Sequence, residues 1–119
     1  MARRVLLVVN PISGRGRALG AAERFLASFR AEGGTVEEAR TAAAGDAARL
    51  AAEAARRGFD AVVAAGGDGT VNEVLNGLDG TGLPVGILAT GTANVLARDL
   101  GIPFDPDGAA RVAAVGRPR

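Results

Sequence analysis

Three times in this chain a short apolar run breaks off into a turn rich in glycine and hydroxyl side chains, and a helical pattern follows. Val5–Val9 runs into Asn10-Pro11-Ile12-Ser13-Gly14-Arg15-Gly16-Arg17, after which Leu19, Ala22, Leu26 and Phe29 recur at helical spacing. Residues 60–65 run into Gly66-Gly67-Asp68-Gly69-Thr70, after which Val71, Val74, Leu75 and Leu78 share one helical face. Val85–Leu88 runs into Ala89-Thr90-Gly91-Thr92-Ala93-Asn94. Strands alternating with helices argue for right-handed βαβ units and a parallel sheet. Every strand-to-helix turn then lies at the carboxyl edge of the strands, which is where open α/β sheets bind ligands.

The pattern predicts strands at 3–9, 35–40, 60–65 and 84–88, and helices at 18–32, 46–57, 70–78 and 92–100. A last helix is predicted over 106–115. At 119 residues the chain makes one domain, large enough for a covered sheet of four or five strands. Helix 46–57 is Ala-rich, with Asp46 as its expected N-cap and Glu53–Arg57 spaced for a surface pair. Thr70 and Glu73 have capping-box spacing, which sets the third helix to start near Thr70.

The turn Gly66–Thr70 carries the sharpest chemistry. Its glycines let the backbone approach a ligand closely, and the free N–H groups of a helix start attract anions. A phosphate is expected there, with Asp68 at hand for a magnesium ion. The plainer reading is a tight βα turn in which Asp68 is only a cap. Three such turns along one edge favour a common site.

Absences narrow the chemistry. With no His and no Cys, the sequence has no zinc site, thiol nucleophile, disulfide or Ser-His-Asp triad, so any general base is a carboxylate or comes from another segment. It also has no Lys, hence no Walker lysine, and its fourteen basic residues are scattered arginines with a net charge of +1. Four Phe and no Trp or Tyr leave little for base stacking, so a nucleic-acid partner is not expected. Gly14, Gly16 and Gly20 are one residue too widely spaced for a dinucleotide fingerprint, with Glu37 and Glu38 near the position of its ribose-binding acid. The apolar run behind Arg3-Arg4 is too short for a signal peptide, and no segment approaches a membrane span, so a cytoplasmic protein is expected.

Asn10-Pro11-x-Ser13-Gly14, Gly66-Gly67-Asp68-Gly69-Thr70-x-Asn72-Glu73 and Gly91-Thr92-x-Asn94, followed by Arg98, Leu100, Gly101, Ile102 and Pro103, resemble the diacylglycerol kinase catalytic domain. Bacterial lipid kinases, eukaryotic diacylglycerol kinases and sphingosine kinases share this domain. The resemblance covers nearly the whole chain. Gly-Gly-Asp-Gly-Thr alone also occurs in NAD kinases, whereas the Asn-Pro start and the Gly-Thr-x-Asn turn favour the lipid-kinase branch.

The resemblance implies a Rossmann-like three-layer α/β/α sandwich with an open, mostly parallel sheet, as in the NAD kinase and diacylglycerol kinase fold. It implies an ATP site built from Asn10, Pro11, Ser13, Gly14, Thr41, Gly66, Gly67, Asp68, Gly69, Thr70, Asn72 and Thr92. Asp68 serves the Mg2+–phosphate assembly and is the implied catalytic residue. Asn94 and Arg98 are further candidates, or cap and pair within their own helix. Arg15 and Arg17 offset phosphate charge or are solvated surface. The implied reaction moves the ATP γ-phosphate to the hydroxyl of diacylglycerol or a related lipid alcohol.

Two departures qualify this. Val95 stands where many diacylglycerol kinases have Asp, which puts diacylglycerol itself in question as acceptor. Family members also carry a β-rich second domain with much of the acceptor site. The chain is therefore expected to be the amino-terminal, nucleotide-binding piece of a two-domain kinase, inactive or nearly so alone. The expected partners are a nucleotide, a lipid acceptor met through the second domain, and a membrane touched peripherally; a homodimer stays open. An NAD kinase-type domain and a non-catalytic nucleotide-binding module are the alternatives.

Overall fold

The computed structural model describes residues 4–13, 15–31 and 33–89. Its elements follow the predicted order: β1 (Arg4–Val9), α1 (Arg17–Ala31), β2 (Thr35–Arg40), α2 (Asp46–Arg56), β3 (Ala61–Gly66), α3 (Asp68–Leu78) and β4 (Val85–Ala89). The four strands form one parallel sheet in the order β2-β1-β3-β4. The helices predicted over 92–100 and 106–115 lie outside the described residues.

β1 and β3 are central and covered on both faces, so they read as unbroken apolar runs. Alternate residues divide between the two sides. Val5, Leu7, Val9, Ala61, Val63 and Ala65 pack towards α1, with Phe25 and Phe29 stacked at 5.4 Å between ring centroids. Leu6, Val8, Val62, Ala64 and Ile87 pack towards α2 and α3 through Ala47, Ala51, Val71 and Val74. The result is the expected α/β sandwich, with α1 on one side and α2 and α3 on the other.

Three local expectations are corrected. α3 starts at Asp68, two residues before the capping box would put it, and Gly67 is its N-cap with no side-chain cap. Thr70 is buried inside the first turn, and Glu73 instead accepts the Gly45 N–H at 3.0 Å. Asp46 is not an N-cap: Gly45 holds that position, and Asp46 Oδ2 accepts the N–H groups of Ala42 and Ala43 at 2.8 and 3.0 Å. The Arg57 side chain does not pair with the Glu53 carboxylate, although the Arg57 N–H donates to the Glu53 carbonyl at 3.0 Å. Its guanidinium grips both oxygens of Glu37 at 2.8 and 3.0 Å, while Glu53 faces Arg49 at 3.8 Å. In each case a partner distant in sequence, or the loop just before, wins over the helix-local pattern.

Candidate functional site

The chain leaves β1 towards the α1 face and leaves β3 towards the opposite face. Between these adjacent parallel strands the connections diverge, which opens a crevice beyond their carboxyl ends. The turns after β1, β2 and β3 meet here. Asn10 N–H donates to the Ala65 carbonyl at 2.9 Å, and Thr41 N–H donates to the Val9 carbonyl at 2.8 Å, so each turn is tied to the neighbouring strand.

A cleft of about 510 Å3 opens between these turns. Asn10, Pro11, Thr41, Gly69 and Thr70, all singled out in the sequence, line it. Ser13, Gly66, Gly67, Asp68 and Asn72 are not among the lining residues, although they belong to the same turns and to α3. Asn10 Oδ1 accepts the Ile12 N–H at 3.3 Å, a local turn that raises Ile12 to 81% exposure at the cleft mouth. Arg15 and Arg17 are exposed on the turn after β1, and Arg15 has a left-handed backbone at φ 59°. Gly14, Thr92, Asn94 and Arg98 lie outside the described residues.

Two glycines have a geometric reason. A Cβ on Gly66 would stand 2.7 Å from Thr70 Oγ1, so the strand can turn into the helix there only without a side chain. A Cβ on Gly67 would stand 3.3 Å from Ser13 Oγ, so the two turns approach closely across the crevice. Beyond them Gly69 faces open space, with no atom within 4 Å of a Cβ position. The first N–H groups of a helix have no partner within it, and the N-cap of α3, Gly67, has no side chain to offer them. That arrangement fits an anion at the start of α3. Asp68 is exposed at the same place. Among the described residues no three acidic, His or Cys side chains converge. The one carboxylate at this turn, that of Asp68, would suit magnesium, a cation that protein sites bind through one or two carboxylates together with phosphate.

The sequence reading missed the rest of the cleft wall. Ala42, Ala43, Ala44 and Ala47 line it from the β2–α2 turn, and Glu73 lines it from α3. Small alanines carry no motif, so their only signal is their position directly after Thr41. Glu37 and Glu38 are engaged by Arg57 and Arg40, respectively.

The strand order defines a doubly wound α/β domain with a cleft at its topological switch point, the place where such sheets bind ligands. The chain belongs to the diacylglycerol kinase catalytic domain family, whose model matches residues 4–119. A diacylglycerol kinase of Mycobacterium tuberculosis strain H37Rv is 40% identical over 114 residues, covering 95% of this chain and 37% of the relative. A diacylglycerol kinase of Bacillus subtilis is 43% identical over 103 residues, covering 85% of this chain and 34% of the relative. The crystal structure of a diacylglycerol kinase from Bacillus anthracis superposes with a TM-score of 0.72 at 33% identity, covering 92% of this chain and 38% of that one. The chain thus spans little more than a third of the length of these relatives.

Proposed function

We propose that this chain is the ATP-binding half of a lipid kinase that transfers the γ-phosphate of Mg-ATP to a lipid hydroxyl, on diacylglycerol or a related lipid alcohol. The observation that carries the reading is the meeting of the turns after β1, β2 and β3 at the cleft, beside the glycine-started α3. The phosphates lie against Gly66–Thr70, where backbone N–H groups can bind them without a side chain intervening. Ser13 adds a hydroxyl and Arg15 a cation from the turn after β1, and Asn10, Pro11 and Thr41 line the nucleotide site. Asn72, Thr92, Asn94 and Arg98 are assigned to the same half-site.

Phosphoryl transfer depends mainly on alignment and on neutralising charge on the transferred group. Asp68 holds the magnesium, which when bound spreads and offsets phosphate charge. The backbone N–H groups at the start of α3 do the same for the oxygens they face, and being fixed they need no reorganisation during the reaction. Among the described residues no helix is long and apolar enough to cross a membrane. We propose peripheral contact from the cytoplasmic side.

Calorimetric titration with Mg-ATP, Mg-ADP and NAD tests this reading. The expected result is a magnesium-dependent response to ATP and ADP, lost in Asp68→Ala, with NAD silent. A preference for NAD would move the chain to NAD phosphorylation. No response to any of the three would remove the nucleotide site altogether.

A further inference from the structure

The wall of the cleft between Thr41 and Ala47 is built differently from the turns that face it. The N–H groups of Thr41, Ala42, Ala43 and Gly45 all have acceptors: the Val9 carbonyl, Asp46 Oδ2 twice, and Glu73 Oε1. With four of its donors taken, three of them by carboxylates, this turn is poorly suited to cradle phosphate. The residues it contributes to the cleft after Thr41 are the alanines Ala42, Ala43, Ala44 and Ala47, with Pro11 and Ile12 on another part of the lining. The cleft therefore has an apolar end at this turn and a second end at Gly69 and Thr70, in the first turn of α3.

The two carboxylates hold this wall in different ways. Asp46 bonds within its own turn, three and four residues back, and would do so wherever the turn lay. Glu73 reaches from α3 to a residue 28 positions earlier and ties the turn to the helix that carries the phosphate end. Gly45, the N-cap of α2, has a left-handed backbone at φ 91°, with no atom within 4 Å of its Cβ position, and its carbonyl accepts the Arg49 N–H at 3.1 Å.

Resting on the nucleotide reading above, we propose that Glu73 is a positioning residue. By accepting the Gly45 N–H it fixes the Ala42–Gly45 turn as the apolar wall for the nucleobase, and so sets the base end of the cleft at a fixed distance from the phosphate end. The role needs an acceptor oxygen at the end of a side chain of this length, and it needs no charge.

The test is titration of the 119-residue chain and its Glu73→Ala and Glu73→Gln variants with Mg-ATP, adenosine and magnesium tripolyphosphate. In Glu73→Ala, affinity for adenosine and ATP falls about tenfold, the scale of one hydrogen bond to a charged group, while tripolyphosphate binding stays within about twofold. Glu73→Gln, which keeps the amide oxygen, recovers most of the loss. Equal loss of tripolyphosphate, unchanged adenosine binding, or a Gln variant as weak as the Ala variant would each overturn the positioning role and leave the nucleotide site standing. Failure of the wild-type chain to bind ATP would remove the nucleotide reading and this inference with it. Should Glu73→Ala not fold, hydrogen exchange of the Gly45 amide decides: slow exchange in both wild type and Glu73→Gln supports the latch, and fast exchange in either sinks it.

Discussion

The two faces of the sheet are packed with different materials. The α1 face is filled with bulk, chiefly the stacked rings of Phe25 and Phe29 with Leu19 and Leu26 beside them. On the other face Val71, Val74 and Leu78 of α3 supply the bulk, while small residues, Ala47, Ala51 and Ala54 of α2 and Gly77 of α3, let the two helices come close. A Cβ on Gly77 would fall on the Ala48 carbonyl oxygen and stand 3.0 Å from Ala51 Cβ, so the two helices touch almost backbone to backbone. That closeness carries the start of α3 to the turn that leads into α2, and the cleft lies between them. Stability and site geometry are thus drawn from opposite sides of one sheet.

The largest test of that division is Phe25→Ala. Removing a fully buried ring should destabilise the chain by about 3–5 kcal/mol in chemical denaturation. Nucleotide affinity of the folded fraction should stay within about twofold, because the ring and the cleft share no partners. Loss of binding in parallel with stability would break the division. Next comes Gly77→Ala, where two principles disagree. Helix propensity alone predicts a gain of about 0.5–1 kcal/mol, because Gly is a poor helix interior. The contact with Ala48 predicts a net loss of about 1–3 kcal/mol from overpacking, with weaker nucleotide binding as the helices separate. A stabilised Gly77→Ala chain would show that the helices have room to spare.

The amino edge of the sheet supplies a smaller effect. There Arg4 and Arg57 stack their guanidinium groups on Phe59 at 4.8 and 5.1 Å, and Asp60 accepts the Arg4 N–H. Arg57→Ala should cost about 1 kcal/mol, the sum of an exposed ion pair and one cation–π contact, with nucleotide binding untouched. The smallest expected effect is at Asp46, whose carboxyl is held below the ordinary aspartate range by the N–H groups of Ala42 and then Ala43, and to a lesser degree by Arg49. A carboxyl depressed by folding stabilises the fold above its unfolded pKa, and that contribution is lost as pH falls through the folded value. The thermal stability difference between wild type and Asp46→Ala should therefore shrink as pH falls below about 4. A difference that stays constant across that range would place the effect of Asp46 outside its ionisation.

The fold was legible in the sequence where burial is complete. β1 after Arg4 and β3 throughout carry no polar side chain because both faces are covered, and the glycines at the end of β3 mark the turn that Thr70 crowds. The site was legible where backbone geometry demands glycine, proline or a hydroxyl. What stayed hidden were the contacts between elements. Nothing local in Thr70-Val71-Asn72-Glu73 distinguishes a glutamate that caps its own helix from one that reaches Gly45, and nothing in the Ala-rich stretch after Thr41 marks three alanines as a wall. Arg57 choosing Glu37 over Glu53 has the same origin: the choice is made by the packing of α2 on β2.

The strand order has a consequence for the chain as it is made. β1 emerges first, yet it lies between β2 and β3, and its second neighbour is translated only after two helices and another strand. Val5–Val9, five apolar residues without a charge, must therefore wait uncovered on the growing polypeptide. Such a segment is a sticky end for other nascent chains and a natural grip for a chaperone. The yield of soluble protein should then depend on how quickly Ala61–Gly66 follows, so the pace of the ribosome over the middle of the message becomes part of how this sheet is assembled.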